Sequence, residues 1–286
     1  MHYWQRMIPH LPYSILTCET LVVLKLSFLN MGKEFNITLV TLPSLKTLHL
    51  KYIRFQQGDD LIFLTDNCPN LEDLLLFDIT YNTYCSIQWA QTLTKLKRAD
   101  IMDCDFYIPM ETVSNAEFLR IKLHEWSYRG CKLPTFHNLT HLVLCYNWDI
   151  VPRMLHLCPK LQNLDLFQHI KGSFWEDGYF GEYENEKWSH PKSVPGCLSS
   201  NLRTCTIRDF AIGGLQSYHI MLAKFILKNS TVLENMSIWC FGKQSEIERR
   251  LTSCSRASAT CQLSIYNNFK YRYVSSSSFS ILSFVH

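Results

Sequence analysis

The chain has 286 residues, of which 47% are hydrophobic and 19% charged. That balance suits a folded protein and excludes a largely disordered one. The net charge of +3, from 28 Lys and Arg against 25 Asp and Glu, is too small to argue for nucleic acid by itself.

Residues 1–14 are too short to fold alone and read as an N-terminal remnant. Arg6, Pro9, His10 and Pro12 break up any apolar run of the kind that leads a secreted protein. From Leu21 onward a six-residue skeleton, L-x-x-L-x-L, keeps returning: Leu21/Leu24/Leu26, Leu45/Leu48/Leu50, Leu71/Leu74/Leu76, Leu139/Leu142/Leu144 and Leu161/Leu164/Leu166. Weaker copies are Leu96/Ala99/Ile101, Phe118/Ile121/Leu123, Leu202/Cys205/Ile207 and Leu233/Met236/Ile238. The first seven copies start 21 to 26 residues apart, the period of a leucine-rich repeat.

Side chains two apart on a strand point the same way, so Leu48 and Leu50 face one side while Thr47, His49 and Lys51 face the other. One such strand cannot bury its leucine face alone. Stacked copies can, and the expected fold is an α/β leucine-rich-repeat solenoid with a parallel β-sheet on one face, occupying residues 15–170. Between the strands, Asp59–Asn67 and Val151–Cys158 carry the apolar spacing of short return helices. The dipeptides Cys68-Pro69 and Cys158-Pro159 end them, since the residue before proline avoids the helical region. Taken in register, the frame sets Arg98 and Arg120 in the first outward row, Lys122 in the second, and Phe77, His124 and Phe167 in the third.

Residues 171–187 mix five acids, five aromatics and three glycines, and read as a surface loop. Residues 188–266 form a second unit, strand–helix–strand–helix–strand. Tyr218, Met221, Leu222, Phe225 and Ile226 mark the apolar stripe of one helix, and Ile247 with Leu251 that of the other. Residues 267–286 are serine-rich and read as a disordered tail; their uncharged run, Tyr273–Val285, falls short of the roughly 20 apolar residues that a membrane span needs. Twelve cysteines without a tight framework, several at repeat positions, read as reduced and buried, in a protein of the cytoplasm or nucleus.

The second unit carries a recognisable string. Trp188, Pro191, Val194, Pro195 and the run Cys197-Leu198-Ser199-Ser200-Asn201-Leu202 resemble the opening of the FBD domain of plant F-box proteins. Asp209-Phe210, Lys224 to Ser230, Val232 to Met236, Ser253 to Ser258 and Cys261-Gln262-Leu263 are similar to its middle and end. Upstream, Cys18 to Leu26, Leu42 to Leu50 and Asn67 to Leu74 are similar to the repeats that join the F-box to the FBD in that family. The resemblance implies a non-enzymatic adaptor whose repeats hold a protein substrate for a Skp–cullin–F-box ubiquitin ligase. The identity of that substrate is unknown. No F-box is recognisable in the 14 residues ahead of the repeats, so the Skp-type contact is left open. The alternative is a repeat scaffold or competitor that binds partners without recruiting a ligase.

Chemistry-bearing motifs are sparse. Neither C-x-x-C nor H-E-x-x-H occurs, and His137 and His141 straddle a strand repeat, so no metal or other cofactor is expected. Asp103-Cys104-Asp105 lacks a base that would activate the thiol. Gly213-Gly214 lacks the lysine and serine of a phosphate loop. The expected anchors for a protein partner are therefore large or cationic outward residues: Phe77, Arg98, Arg120, Lys122, His124, Phe167 and Trp239. Neither nucleic acid nor a membrane is an expected partner.

Overall fold

The computed structural model describes residues 13–31, 40–83, 92–104, 110–122, 133–145, 150–167, 191–211, 216–241 and 244–267. The chain divides into two compact units: residues 1–144 with 157–160, and residues 145–156 with 161–286.

The first unit opens with a helical turn, α1 (Tyr13–Leu16), and continues as β1 (Val23–Asn30), β2 (Thr47–Gln57), α2 (Asp59–Asp66), β3 (Asp73–Thr83), β4 (Arg98–Met102), β5 (Phe118–Lys122) and β6 (His141–Cys145). A 3-10 turn at Met110–Val113 precedes β5. The strands lie side by side in chain order, and the pairs β1–β2, β2–β3, β3–β4 and β4–β5 are parallel. Leu48, Leu50, Leu74, Leu76, Ala99, Ile101, Leu119 and Ile121 are buried, so the inward alternation expected from the motif holds. Fully burying a leucine side chain stabilises by about 1.5–3 kcal/mol. α2 packs against β2 and buries Leu61, Ile62 and Leu64, closing the core from behind.

Each repeat is joined to the one before by a shared carbonyl. Lys46 and Thr47 both donate to Val22 O, Glu72 and Asp73 to Lys46 O, Lys97 and Arg98 to Glu72 O, and Glu117 and Phe118 to Lys97 O. That ladder corrects the sequence frame at one repeat. Phe118 pairs with Arg98 and Leu119 with Ala99, so the fifth copy is Ala116/Leu119/Ile121 rather than Phe118/Ile121/Leu123. The large residue Phe118 suggests the start of the copy, but the small Ala116 fills the fully buried position and the phenyl ring points outward under Arg98. Arg120 thus moves to the second outward row and Lys122 to the third.

Strands β1 to β3 also run past the six-residue motif. Phe28, Tyr52, Asp78 and Asp103 stand at one repeat position and share a positive φ of 52–59°. In this left-handed region aspartate is tolerated, whereas a bulky side chain costs about 1–2 kcal/mol. The kink slips the alternation by one residue. Leu29, Ile53 and Ile79 turn into the core in place of their predecessors, and Phe28 is left 62% exposed.

The second unit holds α3 (Ile150–Leu157), β7 (Asn163–Phe167), α4 (Gly196–Ser200), β8 (Thr204–Ala211), α5 (Gln216–Asn229), β9 (Asn235–Phe241), α6 (Gln244–Thr252) and β10 (Gln262–Asn267). Leu157, the last residue of α3, clusters with the first unit. β7 to β10 are parallel, with Leu166, Ile207, Ile238 and Ile265 in one register line. α5 packs on β8 and buries Leu222, Ala223, Ile226 and Leu227, a wider face than the predicted stripe. α6 turns Ile247 and Leu251 inward, as its spacing predicts, and packs against β10. The acidic and aromatic segment 171–187, with the boundaries at either side of it, and residues 268–286 lie outside the described residues, as do residues 1–12.

Candidate functional site

The alternation that buries one set of side chains presents the other in rows. On the first unit these rows form a chain of opposite charges. His49 Nε2 meets Asp73 Oδ2 at 2.9 Å, and Arg98 Nε lies 3.8 Å from Asp73 Oδ1. Asp100 then takes Arg98 Nη2 and Arg120 Nη1, each 3.5 Å from its Oδ2. Asp100 is only 6% exposed, and its burial pushes the carboxyl above the usual aspartate range despite the pull of Arg120 and Arg98. Lys122 Nζ donates to Asp103 Oδ1 at 2.6 Å. Along the rim, Glu72 accepts from Lys97 at 2.7 Å and pairs with Lys46 at 3.0 Å. These two bonds, Lys97's the stronger, hold the Glu72 carboxyl down at about 2.

The expected basic patch is therefore not a patch of free cations. Arg98, Arg120 and Lys122 do share the outward face, as the sequence predicts, but each is matched by an aspartate. Arg98 also sits 3.9 Å above the centre of the Phe118 ring, a cation–π contact. His124 lies outside the described residues. Phe77 is half-buried and meets Tyr52 edge to face at 5.4 Å.

The sequence reading misses the other half of that cluster. Phe28 stacks on Tyr52 at 4.6 Å with the rings 8° from parallel. Burial raises the Tyr52 hydroxyl above its ordinary range, helped by the carboxylates of Asp78 and Asp103. A signal is present in the sequence. Leu26 and Leu29, Leu50 and Ile53, Leu76 and Ile79, and Ile101 and Cys104 are each three apart, a spacing that breaks the period of two and marks the kink.

On the second unit the residues that follow the last aligned inward line are Phe167, Arg208, Trp239 and Tyr266, one on each strand, with Trp239 and Tyr266 in register and an irregularity in β8 just after Ile207. Phe167 and Trp239, expected separately from sequence, stand two strands apart with Arg208 between them. Arg208 is fixed by a forked bond to Asp165, its Nη2 2.8 Å and its Nε 3.0 Å from the carboxylate oxygens, and Trp239 stacks on Tyr266 at 4.5 Å. The row beside it carries the hydroxyls of Thr206, Ser237 and Ser264.

No group of three or more His, Cys, Asp or Glu among the described residues is disposed to hold a metal ion. The ten described cysteines are all free thiols. Burial pushes Cys68 and Cys197 up to about 12, far from a nucleophile's range. Cys104, flanked by two aspartates in the sequence, is buried and donates to Met102 O at 3.4 Å. No helix among the described residues is long and apolar enough to cross a membrane.

The FBD family profile matches residues 190–238, and the profile described as the LRR repeats of FBD-associated F-box protein At5g56370 matches residues 1–97. Among curated proteins of Arabidopsis thaliana, putative FBD-associated F-box protein At3g50710 is 27% identical over 88% of this chain and 70% of its own length. FBD-associated F-box protein At3g52670 is 27% identical over 68% of this chain and 53% of its own. F-box/FBD/LRR-repeat protein At4g00160 is 26% identical over 88% and 67%. The chain thus spans roughly half to 70% of the length of these relatives. No solved structure matches it. In its repeat strands and its FBD segment the chain is thus similar to plant F-box/FBD/LRR-repeat proteins.

Proposed function

We propose that this chain is a non-catalytic protein-recognition module, the substrate-holding part of a Skp–cullin–F-box type ubiquitin-ligase adaptor. The observation that carries this reading is the outward face of the repeat strands. It offers broad rows of paired charges and stacked aromatics, Arg98 over Phe118 and Trp239 on Tyr266 among them. Surfaces rich in Trp, Tyr and Arg supply most of the energy in protein interfaces. The relatives' names, which join F-box, FBD and LRR repeat, support the ligase setting. Free, buried cysteines support a reducing compartment, the cytoplasm or nucleus.

The test is affinity purification of the tagged full chain from plant extract, with Skp-type and cullin subunits quantified beside all other captured proteins. The ligase reading expects those two subunits in stoichiometric amounts. Capture of other proteins without them assigns the chain to the alternative role, a detached module that competes with its relatives for substrate. Capture of nothing specific defeats both.

A further inference from the structure

The edge of the first unit differs from the rest of its outward face. From β2 to β5 the cations Arg98, Arg120 and Lys122 are each matched by an aspartate. Lys25 on β1 and Lys51 on β2 are exposed and form no ion pair with a described residue. In register, Lys51 stands opposite Ser27, one residue before the kink that carries Phe28 and Tyr52. Val23, on the same outward face, is also exposed. Two exposed ammonium groups thus border an aromatic ledge, Phe28 on Tyr52 on Phe77, whose outermost ring is largely in water; Lys51 also acts on the Asp100 carboxylate, and on the far side of Tyr52 lie Asp78 and the Lys122-paired Asp103.

The ledge is held at a cost. Phe28 and Tyr52 sit at φ 59° and 54°, where bulky side chains are rarely found. A leucine at the kink's inward position and a polar residue at the kink itself would keep the fold with less strain, as Asp78 does on β3. Backbone strain of this kind concentrates at binding sites. Here it lifts two stacked rings out of the pleat, near the exposed ammonium groups of Lys25 and Lys51.

We propose that Phe28, Tyr52 and Phe77, with Lys25 and Lys51 beside them, form a docking ledge for an acidic segment of a partner protein, one whose carboxylates flank an aromatic or large aliphatic side chain. The anchor side chain lies against the exposed face of Phe28, and the carboxylates meet the two lysines. This inference rests on the reading of the chain as a recognition module and specifies the partner's chemistry.

The test pans a random dodecapeptide phage library on the purified full chain and on its K25E/K51E variant. The wild-type chain selects peptides with acidic residues within a few positions of Phe, Trp or Leu, and the double variant does not. In fluorescence anisotropy, Phe28→Gly weakens the selected peptide about 30-fold, the scale of losing one aromatic anchor. Glycine accepts φ 59° without strain, so this variant keeps the wild-type unfolding midpoint within a few degrees and a misfolded protein is not the explanation. Peptides without acids, or peptides that bind all three proteins equally, overturn the ledge and leave the recognition reading standing. Failure to select any peptide, while specific partners still come from plant extract, does the same; failure of both defeats the two together. Concentration-dependent dimers that Phe28→Gly abolishes give the ledge to a second copy and overturn the proposal.

Discussion

The two units follow one rule on the inside and different rules on the outside. In the first, outward rows are charged and cross-linked, running His49, Asp73, Arg98, Asp100 and Arg120. In the second, the row of Thr206, Ser237 and Ser264 carries hydroxyls, and charge is confined to pairs such as Asp165 with Arg208 and Arg203 with Glu234. Inward strand residues are apolar in both units, from Leu48, Leu50, Ala99 and Ile101 in the first to Leu166, Cys205, Met236 and Ile238 in the second. Shape is thus set by a pattern that every repeat must obey, while each strand's outward residues are free to carry recognition.

The comparison breaks most visibly in the core. Leu50→Ala on β2 and Ile238→Ala on β9 each remove a fully buried side chain. Each is expected to cost about 2–5 kcal/mol, read as a lower urea midpoint. If one of the two costs less than about 1 kcal/mol, the units do not share a common packing rule.

On the outside of the first unit, Asp100 is the most consequential charge. Asp100→Ala leaves two half-exposed guanidinium groups without the buried carboxylate they share and is expected to cost about 1–3 kcal/mol. Asp100→Asn keeps the shape and a hydrogen-bonding oxygen and should cost less. Equal losses for the two variants would assign the effect to the lost charge rather than to packing.

Asp100 and Glu72, on one face, are expected to titrate in opposite senses. Burial raises Asp100, so the folded state keeps that proton to a higher pH than the unfolded chain does. Stability therefore falls as pH rises through the window just above the ordinary aspartate value, and Asp100→Asn removes that fall. Glu72 is held at about 2, below its ordinary 4.5, by Lys97 and Lys46. Its contribution is complete above 4.5 and is lost as pH falls towards 2, and Glu72→Gln removes that acid-side loss. Urea midpoints followed from the acid side up to neutrality separate the two slopes.

The smallest effect belongs to the second unit. Arg208→Lys replaces a forked bond to Asp165 with a single contact. At a half-exposed site this is worth no more than about 1 kcal/mol. Its consequence should be seen in partner binding rather than in stability.

Much of the architecture is legible in the order of residues alone. The leucine spacing sets the strands, the return helices Asp59–Asp66 and Ile150–Leu157, and the inward faces of Gln216–Asn229 and Gln244–Thr252, because burial imposes a period. The fifth repeat is misframed because hydrophobicity favours Phe118 over Ala116 as the leading residue, whereas Ala116 takes the buried position that Leu71 and Leu96 hold in the repeats before it. The outward residues can be named as a class, but their pairing is not readable. Whether Arg120 meets Asp100 depends on register between strands, and one misplaced copy moves every outward residue by a row. The aromatic ledge is hidden for a third reason. It depends on a backbone kink, and neither phenylalanine nor tyrosine advertises a left-handed conformation.

The most direct test of recognition through the outward rows is quantitative affinity purification from plant extract with three full-length baits. One is the wild-type chain, the second carries Phe77→Ala, Arg98→Ala and Arg120→Ala, and the third carries Phe167→Ala and Trp239→Ala. Circular dichroism first establishes that all three baits keep the wild-type fold. The expected result is that folded variants lose specific partners that the wild-type chain retains, with at least one partner falling about tenfold for one of the two faces. Retention of every partner at wild-type levels by both variants would contradict the assignment of recognition to this face of the sheet.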